Sequence, residues 1–125
     1  MKNYFLIIIV SLFFLFLNSC KEPKINAICA CGVSDPARDL PWLAELIEEA
    51  KTDNTGNYVG VIWLEDYNRQ DVFVTNMMLG SGGLLYHVFN CEGNRVSIED
   101  AVDFFNNLKK NIVIFVNPDN YPLNL

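Results

Sequence analysis

The chain has little of what most catalytic and nucleic-acid-binding proteins rely on. There is one histidine, His87, and there are nine basic residues against fifteen acidic ones, for a formal net charge of −6 at pH 7. Lys and Arg form no run longer than the Lys109-Lys110 pair. The clustered positive charge that tracks phosphates is missing, and so is a basic patch for docking onto anionic lipid. No nucleic-acid partner is expected. Gly80-Ser81-Gly82-Gly83 is the only glycine-rich stretch, but a strand follows it and it carries no lysine. A phosphate loop must instead run into a helix N-terminus, so the stretch reads as a flexible connection between strands. No nucleophile motif and no triad spacing is present, and no cofactor motif is read. The one apolar run of any length, Tyr4 to Leu17, is about 14 residues and falls short of the roughly 20 that cross a bilayer core.

What is present begins at that run. Lys2 supplies positive charge ahead of it, and Leu17-Asn18-Ser19-Cys20 closes it with a small residue directly before a cysteine. Charge, short apolar core and small residue at the cleavage point make an export signal, residues 1–19. The closing residues resemble the bacterial lipobox, in which the cysteine sulfur receives a diacylglycerol and becomes the new N-terminus. The resemblance implies lipidation of Cys20; ordinary secretion with an incidental Cys20 and a retained helix are the alternatives. Two or three acyl chains hold a protein stably on a membrane. The expected location is therefore the cell envelope, held by a lipid anchor, with the outer membrane favoured over the inner. Lys21-Glu22 partly resembles the tag that takes lipoproteins of Bacteroidetes-type bacteria to the cell surface.

Beyond Cys20 stand Cys29, Cys31 and Cys91. An exported chain meets an oxidising compartment, where pairing is the default. Cys29 and Cys31 are one residue apart, too close for an unstrained bridge. Cys31 with Cys91 is the expected pair and Cys29 with Cys91 the alternative. The first closes a loop of about 60 residues, worth roughly 4 kcal/mol in the chain-entropy model. A three-thiolate metal site would lack a fourth ligand, because His87 lies far along the chain; no metal site is expected. A catalytic thiol would lack a histidine-plus-acid setting.

Residues 20–38 are mixed polar and charged, and read as the lipidated cysteine and a tether into a domain at 39–117. Pro41 suits a first helical position. Trp42, Leu43, Leu46, Ile47 and Ala50 share a stripe, with Glu45, Glu48, Glu49 and Lys51 facing water; this predicts a helix over 41–52. Tyr58–Leu64 and Asp71–Met78 are β-branched and aromatic and predict a hairpin across a polar turn at 65–70. Leu84–Asn90 predicts a third strand. Ser97-Ile98-Glu99-Asp100 approximates a capping box ahead of a helix over 98–109, with Lys109 and Lys110 at its cation-favouring end. Ile112–Val116 closes the domain, and 118–125 is a C-terminal tail. The expectation is a small α+β domain in the order α-β-β-β-α-β, an antiparallel or mixed four-stranded sheet with both helices on one face.

Two local readings follow. Glu65, Asp66 and Asp71 lack the spacing of a calcium loop and read as solvated turn acids, and His87, among Tyr86, Val88 and Phe89, reads as a packed strand histidine. Strand 58–64 is apolar on both sides, with Val59, Val61 and Trp63 on one and Tyr58, Ile62 and Leu64 on the other. If both helices cover a single side, Tyr58, Ile62, Leu64 and Trp63 mark a candidate partner face, unless the tether or the tail folds over it.

Cys31-Gly32 with Pro36, then Asp39-Leu40-Pro41-Trp42-Leu43, and later Phe89-Asn90-Cys91-Glu92-Gly93-Asn94, resemble a group of small lipoproteins from Bacteroidetes-type bacteria. Relatives often have cysteines near positions 76–83, where this chain has Asn-Met-Met-Leu-Gly-Ser-Gly-Gly. The resemblance implies an envelope location and a compact domain, and carries no activity. The functional expectation is a non-enzymatic binding module for an envelope protein. An inhibitor or immunity protein for an exported enzyme, and a small thiol enzyme using Cys29, Cys31 or His87, are the alternatives.

Overall fold

A computed structural model describes residues 27–80 and 86–117. The export signal 1–19, Cys20 with the first part of the tether, Ser81-Gly82-Gly83 and the tail 118–125 lie outside the described residues. The elements are α1 (Pro36–Asp39), α2 (Pro41–Thr52), β1 (Gly60–Tyr67), β2 (Gln70–Thr75), β3 (His87–Phe89), α3 (Ala101–Asn106) and β4 (Ile112–Asn117). The four strands form one antiparallel sheet in the order β3-β2-β1-β4. The domain is α+β, as the pattern of the sequence predicts.

Helix α2 matches its expected span. Pro41 opens it, and Leu43, Ile47 and Ala50 point into the core. The β1–β2 hairpin is tighter than the polar residues imply. Tyr67 pairs with Gln70, so only Asn68 and Arg69 form the turn, at φ 54° and 62°. Two successive positive φ values define the type I′ turn, whose twist matches that of the flanking strands. Glu65 and Asp66, expected in a turn, continue β1 instead.

The two helices do not share a face. Side chains alternate along a strand, and the register places Ile62, Leu64 and Phe73 on one side of the sheet and Trp63, Val72, Val74 and Val88 on the other. Leu43, Ile47 and Ala50 of α2 pack with Ile62, Leu64, Phe73 and Met77. Phe104 and Phe105 of α3, with Tyr67, Tyr86, Val96, Ile98 and Leu108, pack on Val72, Val74 and Val88. This corrects the one-face arrangement and removes the open partner face derived from it. Ile62 and Leu64 are buried, and Trp63 is only 6% exposed, its ring beside Tyr86 and under the Lys110 amine, 4.9 Å from the centroid. Tyr58 is half-buried, and its hydroxyl donates to Glu49 at 3.0 Å. A strand apolar on both sides is what a sheet covered on both faces requires.

Helix α3 is shorter than the expected 98–109. Asp100 is its N-cap, its carboxylate accepting from the Asp103 N–H at 3.4 Å. Beyond Asn107 the chain leaves the helix, because the Lys109 and Lys110 N–H groups donate to Glu65, at 3.4 and 2.7 Å. Val102 is 76% exposed, and the inward positions are Phe104 and Phe105. Packing also begins ahead of Asp39, within the stretch read as tether. Ala30 is buried, Ile28, Cys31, Val33 and Ala37 pack around it, and Pro36–Asp39 is a helical turn. No helix among the described residues is long and apolar enough to cross a membrane.

Candidate functional site

Three segments distant in sequence meet at one corner of the sheet. Cys31 is bonded to Cys91, with 60 residues between them in sequence and Cα atoms 5.6 Å apart; the Cys29–Cys91 alternative is thereby set aside. No cysteine among the described residues is a free thiol. Each arm of the bridge is seated by contacts of its own. Ala30 and Val33 exchange two backbone hydrogen bonds of 3.1 and 3.0 Å around Cys31, and the Cys31 N–H donates to Asp71 Oδ2 at 2.8 Å. On the other side the Trp42 indole N–H donates to the Cys91 carbonyl at 2.9 Å. The Trp42 ring meets Phe73 and Phe89, each at 5.5 Å between centroids, and lies against Gly93. That glycine has φ 83°, and a Cβ there would stand 2.5 Å from Trp42 Cγ. The turn after β3 can approach the indole only because residue 93 has no side chain. The Asn90 side-chain oxygen accepts from the Glu92 and Asn94 N–H groups at 3.1 and 2.9 Å, closing the turn.

The acids of the β1–β2 hairpin do not converge. Glu65 is buried and spent on the backbone N–H groups of Lys109 and Lys110, which corrects its reading as a solvated turn acid. Asp66 accepts from the Arg69 N–H at 3.2 Å and stabilises the turn. Asp71 is turned to the disulfide. Its carboxylate oxygen and the sulfurs of Cys31 and Cys91 all lie within 4.8 Å of one another. A cleft of about 320 Å³ opens beside them, lined by Gln70, Asp71, Asn90, Cys91 and Glu92.

His87 is 2% exposed. Its Nδ1 lies 2.8 Å from Arg95 Nη1, and its ring also bonds the Met78 backbone. Burial, and then the nearby Arg95 charge, hold its pKa below the ordinary value of 6.5. The ring accepts from the guanidinium and is neutral in the fold, a packed residue at the inner end of β3.

The second feature is the free edge of the sheet. Among the described residues, β4 pairs with β1 alone. Its register against β1 shifts between Ile62 and Trp63, so that Phe115 faces Ile62 while Val113 faces Trp63 and Ile114 is the extra residue. A bulge of this kind re-aims side chains. Here Ile114 and Phe115 both line a groove of about 400 Å³ between β4 and the two first helices, with Ala37, Ala44 and Ile47. Asp35, Arg38, Glu48 and Lys51 stand at its rim, the cations drawn to the acids: Lys51 Nζ lies 2.6 Å from Glu48 and Arg38 3.7 Å from Asp35. At the start of the strand Ile112 and Val113 are 41% and 43% exposed. At its end Asn117 is buried, and its amide donates to the Ala50 and Tyr58 carbonyls at 2.8 and 2.9 Å. These bonds anchor the last residue of β4 to the end of α2 and to Tyr58.

No protein-family model, no curated protein and no solved structure matches the chain.

Of the residues singled out in the sequence, Cys31 and Cys91 are brought together and Tyr58, Ile62, Leu64 and Trp63 are absorbed into packing; Cys20 lies outside the described residues. Asp71, which reads as a solvated turn acid in the sequence, is instead turned to the disulfide, and nothing in the sequence marks Trp42 for that corner or Ile112–Phe115 for the edge. The only sequence signal for β4 as an exposed edge is its place last in the described chain, with neither charge nor proline between Ile112 and Asn117.

Proposed function

We propose that this chain is an exported, lipid-anchored binding module of the cell envelope, and that its β4 edge and the adjoining groove take an extended segment of a partner protein. One observation carries the reading: a six-residue strand that pairs on one side only among the described residues stands beside an apolar groove. Main-chain pairing with such an edge supplies affinity, and alternate side chains entering the groove supply selectivity. Proteins usually blunt an edge of this length with lysine, proline or a covering element, and Ile112–Asn117 carries none of these residues. The expected ligand presents apolar residues at every second position. An exported enzyme held by an inhibitory strand is one instance of such a partner.

The anchor rests on the Leu17-Asn18-Ser19-Cys20 pattern behind a short apolar run, and the Cys31–Cys91 bridge suits the oxidising compartment that export reaches.

The edge is tested by selecting linear peptides from a displayed library against the full chain. Selected peptides are expected to slow amide exchange along β4, and to lose binding to Val113→Lys while still binding Val102→Lys, a change at a more exposed site on α3. Peptides that bind both variants equally, or that protect other strands, overturn the edge. For the anchor, labelled fatty acid is expected in the wild-type chain and not in Cys20→Ser. A mass spectrum that places Cys20 in a disulfide, without a thioether, overturns the anchor and leaves the edge standing.

A further inference from the structure

We infer that the Cys31–Cys91 corner is a redox-gated metal site, silent as a disulfide and able to take one zinc-class divalent cation when reduced. The inference is independent of the partner at β4. The two sulfurs and the Asp71 carboxylate lie within 4.8 Å of one another. Zinc bonds of about 2.3 Å to sulfur and about 2.1 Å to oxygen put tetrahedral ligand atoms roughly 3.5 Å apart. Two parted sulfurs and this oxygen reach that spacing by side-chain rotation, and water completes the coordination. Two thiolates and a carboxylate select zinc or cadmium over magnesium or calcium, which take oxygen ligands.

The ligand positions do not depend on the S–S bond. Cys31 is held by the Ala30–Val33 bridge and by its own N–H on Asp71. Cys91 is held by Trp42, which is itself packed against Phe73 and Phe89. Asp71 belongs to β2, paired with Asp66 across the hairpin. The three ligands thus ride on three non-covalently fixed segments. The cleft at Gln70, Asn90 and Glu92 opens on Cys91 and admits both a reductant and a hydrated cation.

The chemistry balances with a dithiol as reductant. One of its thiolates attacks a bridge sulfur and expels the other cysteine, which takes up a proton as thiol. The second dithiol sulfur then displaces the first cysteine, and the reductant leaves as a disulfide. Cys31 and Cys91 have gained two electrons and two protons. The incoming cation displaces both thiol protons as it binds.

The test uses the full chain in detergent with Cys20→Ser and Cys29→Ser, so that only Cys31 and Cys91 can supply thiolates, and cadmium as the probe. After reduction, cadmium is expected to produce a thiolate charge-transfer band that saturates at one ion per chain, and magnesium is not expected to compete. The oxidised chain is expected to give no band. Asp71→Asn keeps the hydrogen bond from Cys31 but supplies a weaker ligand, and is expected to bind cadmium at least tenfold more weakly with the near-ultraviolet dichroism of the fold retained. A reduced chain that gives no band at stoichiometric cadmium, or an Asp71→Asn variant that binds as tightly as its parent, overturns the inference.

Discussion

The two edges of the sheet are built in opposite ways. The β3 edge is three residues long and fastened at every point: His87 to Arg95, Phe89 in a bridge to Arg95, and the turn beyond it to Trp42 and, through Cys91, to the N-terminal arm. The β4 edge is six residues long, uncharged, and anchored on its far side by one side-chain amide, that of Asn117. A short strand under covalent and aromatic restraint offers no template to another chain, whereas a long apolar one does. One edge therefore works for stability, and the other is the one proposed for recognition.

Breaking the fastened edge is expected to have the largest effect. Cys31→Ser with Cys91→Ser opens a 60-residue loop, worth roughly 4 kcal/mol in the chain-entropy model. Urea unfolding should show this as a lower midpoint with a steeper slope, because the unlinked unfolded chain exposes more surface. The change should nevertheless leave peptide binding at β4 intact, since β4 is held by its pairing with β1 and by Asn117 rather than by the bridge. Next comes Gly93→Ala, where a methyl group collides with the Trp42 ring and the backbone stays at positive φ. A loss of about 3 kcal/mol is expected from overpacking and the left-handed backbone together. In a Trp42→Ala background, which lacks the colliding Cγ and Cδ2 atoms, the same Gly93→Ala change should cost less.

At the other edge, Asn117→Ala removes both donors to the Ala50 and Tyr58 carbonyls. Leaving two buried acceptors unpaired is expected to lower stability by about 2 kcal/mol, read as a fall in thermal midpoint on the order of 10 °C for a domain of this size. Hydrogen exchange should speed up along β4 before β3, because the amide fastens only that strand. Equal acceleration at both edges would mean that Asn117 holds the whole sheet and would erase the contrast.

How far the sequence discloses this contrast depends on the range of the interactions. Period and punctuation reveal α2, the hairpin strands and the α+β class, because Pro41, the Leu43-Ile47-Ala50 stripe and the β-branched runs act locally. The Cys31–Cys91 pair is legible by arithmetic on three cysteines. What sequence hides is which face each helix covers: with both helices on one side, the buried Ile62, Leu64 and Trp63 would form an open partner face. Glu65 looks like a turn residue until Lys109 and Lys110 arrive from the far end of the chain to bond it. Asp71 and Trp42 become parts of the disulfide corner only through contacts spanning 40 and 49 residues. The β4 edge is hidden for a different reason: a strand is an edge by virtue of what does not pair with it.

The smallest expected effect concerns pH at the fastened edge. His87 is the chain's one histidine, and its folded pKa lies below the ordinary 6.5 because it is buried and faces Arg95. As pH falls below about 6.5, the unfolded chain takes up a proton on this ring that the folded chain does not. Folding free energy must then decline with falling pH. The contribution of His87 is complete above 6.5 and drains away as pH drops toward the folded value. The carboxylates titrate lower, near 4 in unfolded chains, so the slope just below 6.5 belongs largely to this one group. Urea midpoints measured from pH 7.5 down to 5.5 should fall for the wild-type chain and stay nearly flat for His87→Gln, whose amide can still accept from Arg95. Amide exchange should localise the loss to β3 and the Arg95 segment while β4 keeps its protection. If both strands loosen together over that range, the two edges are one cooperative unit and the division of labour between them is wrong.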